Sequence, residues 1–139
     1  MFGIEKFDIV IGNPPYGVSI KGDSRAKVLR FLPRVPDFEI CYFFIEVSKR
    51  LIKQDGFLSY IIPNTFLFNV YASNYRREML DFWKMTIIDC TAFKIFEKAS
   101  VYNAIILFQL NNENSTVRYF ETANVFKFEE LINTPLKVI

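Results

Sequence analysis

Residues 7–17 read FDIVIGNPPYG, and the change from aliphatic to proline within this stretch decides the fold. Residues 7–11 are a short apolar run halted by Gly12, Asn13 and two prolines, the pattern of a buried parallel strand that ends in a rigid loop. Ligands of open α/β sheets sit beyond the carboxyl ends of the strands, so Asn13-Pro14-Pro15-Tyr16 is placed for a site. Outward from it, residues 17–36 are polar and basic (Lys21, Arg25, Lys27, Arg30, Arg34) and read as a mobile loop. Asp37 then offers a helix N-cap. Ile40, Phe43, Phe44, Val47 and Leu51 recur at helical spacing, and Gly56 reads as the stop. Residues 57–62 (FLSYII) form a second strand. Residues 73–84 form a second helix with Tyr75, Met79, Phe82 and Trp83 inward. Residues 86–90 and 102–110 are two strands whose short, non-helical connection makes them antiparallel. A further strand over 116–120 and a short helix over 128–132 complete the reading. The expected architecture is α/β with a terminal antiparallel strand pair.

Composition narrows the chemistry. The chain has 139 residues, 51% apolar and 17% aromatic, with sixteen Phe and no His. Without His the default general base and the commonest metal ligand are excluded. Cys41 and Cys90, distant and unpaired in any CxxC, argue against zinc and against a disulfide framework. The longest apolar stretches are broken by Glu39, Glu46 or Pro63, short of a membrane span, and no signal-peptide pattern starts the chain. A cytoplasmic setting is therefore expected. A formal net charge of +2 neither demands nor excludes nucleic acid.

The loop at residues 13–16 can do one kind of work. Neither proline has an N–H, so the loop offers acceptors and few donors. The Asn13 side-chain oxygen and the Pro14 carbonyl can together accept both hydrogens of an amino group, while Tyr16 gives a planar heterocycle a face to stack on. An exocyclic amine conjugated to a ring is a poor nucleophile because its lone pair is delocalised. Two acceptors pulling on its hydrogens favour a pyramidal nitrogen and stabilise the charge that develops there. No imidazole is required. The alternative is a purely structural rigid loop with an Asn cap.

Residues 7–17 resemble motif IV of the amino-group DNA methyltransferases that use S-adenosylmethionine, in particular the adenine-N6 type. The resemblance continues through residues 42–67, containing FIEVSKRLIKQDGFLSYIIPNTFL, and residues 93–110, FKIFEKASVYNAIILFQL. It is similar in particular to restriction-modification enzymes of the Eco57I and TaqI type, which implies a prokaryotic source. It implies that Asn13 and the Pro14 carbonyl hold the N6 amino group of a flipped-out adenine and that Tyr16 stacks on it, beside Pro15. Phe96, with Phe93 as competitor, is the second aromatic against the base, the alternative for Phe96 being an ordinary core residue. Lys21, Arg25, Lys27 and Arg30 become candidates for contacts with DNA phosphates, against the alternative of a solvated loop.

The resemblance has a gap. In this family the Gly-containing loop and acidic residue that bind the cofactor precede motif IV, which here begins six residues after Met1. The implied fold is thus a partial Rossmann-like S-adenosylmethionine-dependent methyltransferase, the second half of its sheet. Residues 1–115 are the catalytic-domain half and 116–139 a tail towards an absent target-recognition domain. A fragment of this kind should be inactive alone. Its partners should be double-stranded DNA, the missing parts of the same enzyme, and possible second copies of itself joined through the exposed edge of the first strand. Competing readings are methylation of a protein glutamine or an RNA base by the same loop, and a noncatalytic DNA-binding or assembly module.

Overall fold

The computed structural model describes residues 5–36, 38–92, 94–96, 100–110, 117–122 and 137–138. Its elements run β1 (Phe7–Gly12), α1 (Gly22–Phe31), α2 (Cys41–Leu51), β2 (Ile52–Pro63), α3 (Thr65–Phe68), a 3-10 turn (Val70–Ala72), α4 (Ser73–Met79), β3 (Trp83–Asp89), β4 (Asn103–Leu110), β5 (Val117–Glu121) and β6 (Lys137–Val138). The strands form one mixed sheet in the order β1-β2-β4-β3-β5-β6. β1 lies parallel to β2, and β4 is antiparallel to both β2 and β3, the pairing expected from the short β3–β4 connection. β5 returns parallel to β3.

Alternation along the strands explains the layers. Leu58, Tyr60 and Ile62 of β2, Ala104, Ile106 and Phe108 of β4, and Trp83, Met85 and Ile87 of β3 share one face and are buried. Tyr42 and Ile45 of α2 and Tyr75 and Met79 of α4 close that face into a single core. Tyr42 meets Phe38 and Tyr75 edge-on, with ring centroids 5.4 and 5.6 Å apart. The opposite face is barely covered on the β1 side. Phe7, Ile9 and Ile11 are 53%, 64% and 78% exposed, and Phe57 and Leu107 continue the bare strip onto β2 and β4.

Several elements differ from the sequence reading. The basic stretch is not a loop: α1 occupies Gly22–Phe31, with Asp23 in its first turn and Arg30 in its last, charges that complement the helix dipole. Because α1 buries no residue, its sequence carries little apolar periodicity to betray it. α2 starts after Ile40, and Asp37 lies outside the described residues. The inward stripe of α2 is rotated from the expected one. Cys41, Tyr42, Phe43, Ile45 and Ser48 are buried, whereas Phe44 and Val47 are exposed. Gly56 is not a helix stop. α2 ends at Leu51, β2 begins at once, and Gly56 sits inside the strand where a Cβ would lie 2.8 Å from the Asp8 carbonyl. α4 ends at Met79, and Trp83 is buried as the first residue of β3 rather than on a helix. Phe82 is exposed, with Lys49 Nζ 3.7 Å from its ring centroid. The anticipated helix over 128–132 lies outside the described residues. Among the described residues no helix is long and apolar enough to cross a membrane.

Candidate active site

β1, β2 and β3 all point their carboxyl ends to one edge of the sheet, and antiparallel β4 starts there. Four segments therefore converge: the Asn13–Tyr16 loop after β1, Pro63–Asn64 after β2, the connection after β3, and Asn103 at the head of β4.

The loop after β1 presents its groups unequally. Asn13 and Pro15 are exposed, Pro14 is buried, and Tyr16 is half-buried. The buried Pro14 ring anchors the turn and leaves the Asn13 side chain free to reach solvent. Gly17 follows at φ +64°, a left-handed conformation that glycine adopts without strain. The Tyr16 hydroxyl donates to the Ile61 carbonyl at 3.0 Å, which ties the ring to β2. Further on, the Ile40 N–H donates to the Val18 carbonyl at 2.9 Å and joins the loop to the start of α2. Burial, with a smaller contribution from nearby Cys41, pushes the Tyr16 phenol up to about 12. The Asn103 amide pulls it partly back, although it stands outside hydrogen-bonding geometry. Tyr16 is thus a neutral, oriented aromatic surface at physiological pH. Burial likewise raises Glu39, whose Oε2 accepts from Cys41 Sγ at 3.7 Å.

The neighbouring loops are braced by a chain of side chains that the sequence did not disclose. Asn64 Nδ2 donates to Thr91 Oγ1 at 3.1 Å, and Thr91 Oγ1 donates in turn to Asp89 Oδ1. Asp89 Oδ1 also accepts from the Thr91 N–H at 3.0 Å, and Oδ2 accepts from the Tyr119 hydroxyl at 2.7 Å. The Thr122 hydroxyl completes the brace on the Asp89 carbonyl at 2.7 Å. Asp89, buried and saturated with donors, pins the start of the connection that carries Phe96. Its only sequence signal was an acidic residue closing a β-branched strand. A cavity of about 360 Å³ lies beside it, lined by Phe68, Asp89, Thr91, Ala92, Glu121 and Thr122.

Phe96 is on the connection between β3 and β4, at the same sheet edge as Asn13 and Tyr16, and is partly exposed. Phe93 lies outside the described residues. Lys21 caps α1, and Arg25, Lys27 and Arg30 are exposed on it. Helical spacing puts Lys27 and Arg30 on one side of α1 and Arg25 on the other, so the cations form two rows instead of one patch. Among the described residues no group of three or more Cys, Asp and Glu is arranged to hold a metal ion.

A parallel β1–β2 pair followed by an antiparallel β4 inserted between β2 and β3, with a polar loop at the carboxyl end of β1, is part of the class I S-adenosylmethionine-dependent methyltransferase fold. Residues 1–96 match the Eco57I restriction-modification methylase family, and the chain belongs to that family. It is 36% identical over 103 residues to a provisionally assigned type II restriction enzyme and methyltransferase of Methanocaldococcus jannaschii, an overlap of 74% of this chain and 9% of the relative. It is 28% identical over 130 residues to the type II restriction enzyme and methyltransferase RM.Eco57I of Escherichia coli, covering 88% of this chain and 13% of that protein. The chain thus spans about a tenth of the length of these relatives. In fold it is similar to the methyltransferase subunit of a type I restriction-modification system from Streptococcus thermophilus, with a TM-score of 0.74 at 20% identity over 96% of this chain and 32% of that one.

Proposed function

We propose that this chain is the amine-binding portion of a DNA methyltransferase that transfers a methyl group from S-adenosylmethionine to the N6 amino group of a flipped-out adenine, within a restriction-modification enzyme. The observation that carries the reading is the loop itself: an exposed Asn13 beside a buried Pro14, followed by a Tyr16 whose ring is held by its own hydroxyl bond to β2. Asn13 Oδ1 and the Pro14 carbonyl accept the two amino hydrogens, and Tyr16 and Phe96 flank the base. In the complete enzyme S-adenosylmethionine would supply the methyl group, its carbon–sulfur bond breaking as S-adenosylhomocysteine leaves, and the same two acceptors would stabilise the positive charge the amine nitrogen gains before it gives up a proton to solvent. The exposed cations Lys21, Arg25, Lys27 and Arg30 supply contacts to phosphates.

S-Adenosylmethionine does not fit this chain's residues alone. Among the described residues β1 leads into prolines rather than into a Gly-rich turn opening a helix, the feature that would cradle it. A further segment of the same enzyme supplies that cradle, and its natural seat is the free edge of β1 with the bare strip of Phe7, Ile9 and Ile11. In its absence, second copies of this chain compete for the edge.

The test is methyl transfer. The isolated chain should give no labelled adenine in duplex DNA. Co-expressed with a cofactor-binding half it should label adenine N6, and Asn13→Ala should lower that rate by about 10²–10³ while DNA retention changes little. Label on cytosine, RNA or protein glutamine, or a near-normal rate for Asn13→Ala, would sink the reading.

A further inference from the structure

Among the described residues two buried side chains keep polar atoms without a partner, Trp83 and Asn103, and only Asn103 lies at the site. Its exposure is 1%, yet both its amide nitrogen and its carbonyl oxygen are unpaired. Such an arrangement is costly, and a buried amide that keeps it calls for an explanation beyond packing. The backbone of Asn103 is placed by its neighbours: it lies opposite Pro63 in the β2–β4 register, and its carbonyl accepts from the Cys90 N–H at 3.0 Å. The side chain is therefore held in place with nothing assigned to it.

Its surroundings identify the missing partner. Pro63 is two residues beyond Ile61, whose carbonyl holds the Tyr16 hydroxyl. The Tyr16 hydroxyl spends its one hydrogen on that carbonyl, so its lone pairs remain open, and what they lack is a donor. Asn103 Nδ2 carries two unused hydrogens. We propose that Asn103 is a positioning residue for Tyr16: when a base stacks on the ring, the loop settles and the Asn103 amide donates to the Tyr16 hydroxyl, locking the ring plane between β2 and β4. The influence that Asn103 already exerts on the Tyr16 phenol agrees with this proximity. The hydroxyl then bridges two strands, and the stacking surface is fixed at both ends of the site. This inference rests on the reading of Tyr16 as the base-stacking residue.

The experiment uses the full chain and a single-stranded oligonucleotide carrying one 2-aminopurine, whose fluorescence is quenched on stacking. Wild type, Asn103→Leu, Tyr16→Phe and the double variant are titrated with it, after urea unfolding confirms that each is folded. Leu keeps the branched skeleton of Asn and removes two unpaired polar atoms, a gain that offsets the larger volume of its methyls, so the variant should still fold. Asn103→Ser, too short to reach the hydroxyl, is the second variant should Asn103→Leu misfold. Each single substitution should weaken quenching affinity about two- to tenfold, the worth of one hydrogen bond, and the double variant should bind no more weakly than the weaker single. A side chain that served packing alone would give losses that multiply. Equal affinity of wild type and Asn103→Leu, or multiplying losses, overturns the assignment of Asn103 and leaves the base-stacking reading standing. A wild-type chain that does not quench the probe overturns that reading and this inference with it.

Discussion

At the scale of single residues, the core side of the site is held by polar pairs with defined donors. Ser48 donates to the Phe44 carbonyl at 2.7 Å, which uses its only hydrogen. The 2.8 Å contact between Ser48 Oγ and the Tyr60 hydroxyl must then run from tyrosine to serine. The two partners are not equivalent on deletion. Ser48→Ala leaves the buried Tyr60 hydroxyl without an acceptor and should cost about 1–3 kcal/mol. Tyr60→Phe removes donor and need together, while Ser48 keeps its bond to α2, so about 0.5–1.5 kcal/mol is expected. Urea unfolding of the two variants checks the order; a larger loss for Tyr60→Phe would reverse the donor assignment. Tyr60 also packs beside Gly12, where an added Cβ would lie 3.2 Å from Cε1 of the ring. This pair therefore sits directly beneath the turn that presents Asn13.

Among the elements, the junction of β1 with the start of β2 sets where that turn emerges. The register slips there: Phe7 faces Ile52, but Ile9 faces Phe57, so β2 uses three extra residues against β1. Gly56 makes the slip possible, because a Cβ would fall 2.7 Å from Ile52 Cγ1, 2.8 Å from the Asp8 carbonyl and 3.0 Å from the Phe7 carbonyl. Two of those neighbours are backbone and cannot swing aside. Gly56→Ala should cost about 1–3 kcal/mol, read as a lowered urea midpoint, and an unchanged midpoint would remove the close approach from the account. The same junction shows what could be read in the sequence. β1 and its loop were legible because an aliphatic run ended abruptly in two prolines, and β4 because its run is long and β-branched. The start of β2 was not, because Lys53, Gln54 and Asp55 are exposed on the irregular edge and break the apolar pattern. Nor was α1, which has no fully buried residue, or the phase of α2, where Phe44 and Val47 look like core but face away from it. At the boundary of α4 and β3, Met79 and Trp83 satisfy helical spacing although one is helical and the other begins a strand. In the site, a tetrapeptide with a chemical logic could be recognised locally. Asn103 and Asp89 could not, since their roles arise only when strands distant in sequence meet.

For the whole molecule, the decisive asymmetry is that the described helices cover one face of the sheet and leave β1 exposed on its edge and on its other face. Phe7, Ile9 and Ile11 point the same way, and Phe57 and Leu107 extend the strip across two more strands. A charged clasp nearby, Lys53 Nζ on the Asp8 carboxylate at 2.9 Å, is itself exposed; it holds Asp8 below the usual carboxylate range but covers none of this surface. An open parallel edge next to an apolar strip is a template for another strand, and burial of that strip is the favourable term for whatever docks. The purified chain should therefore self-associate as its concentration rises, seen as growing mass in sedimentation or light scattering. Ile9→Lys should shift it to monomer, because a lysine at the middle of the edge opposes both strand addition and apolar burial. Since Ile9 is largely exposed in the single chain, the unfolding free energy from urea titration should move by no more than about 0.5 kcal/mol. A wild type that stays monomeric at high concentration, or an Ile9→Lys chain that associates equally, would count against the edge as an interface. The same substitution separates the two occupants: if a cofactor-binding half seats on this edge, Ile9→Lys should also weaken its co-purification with the chain, whereas an edge used only between copies would leave that assembly intact.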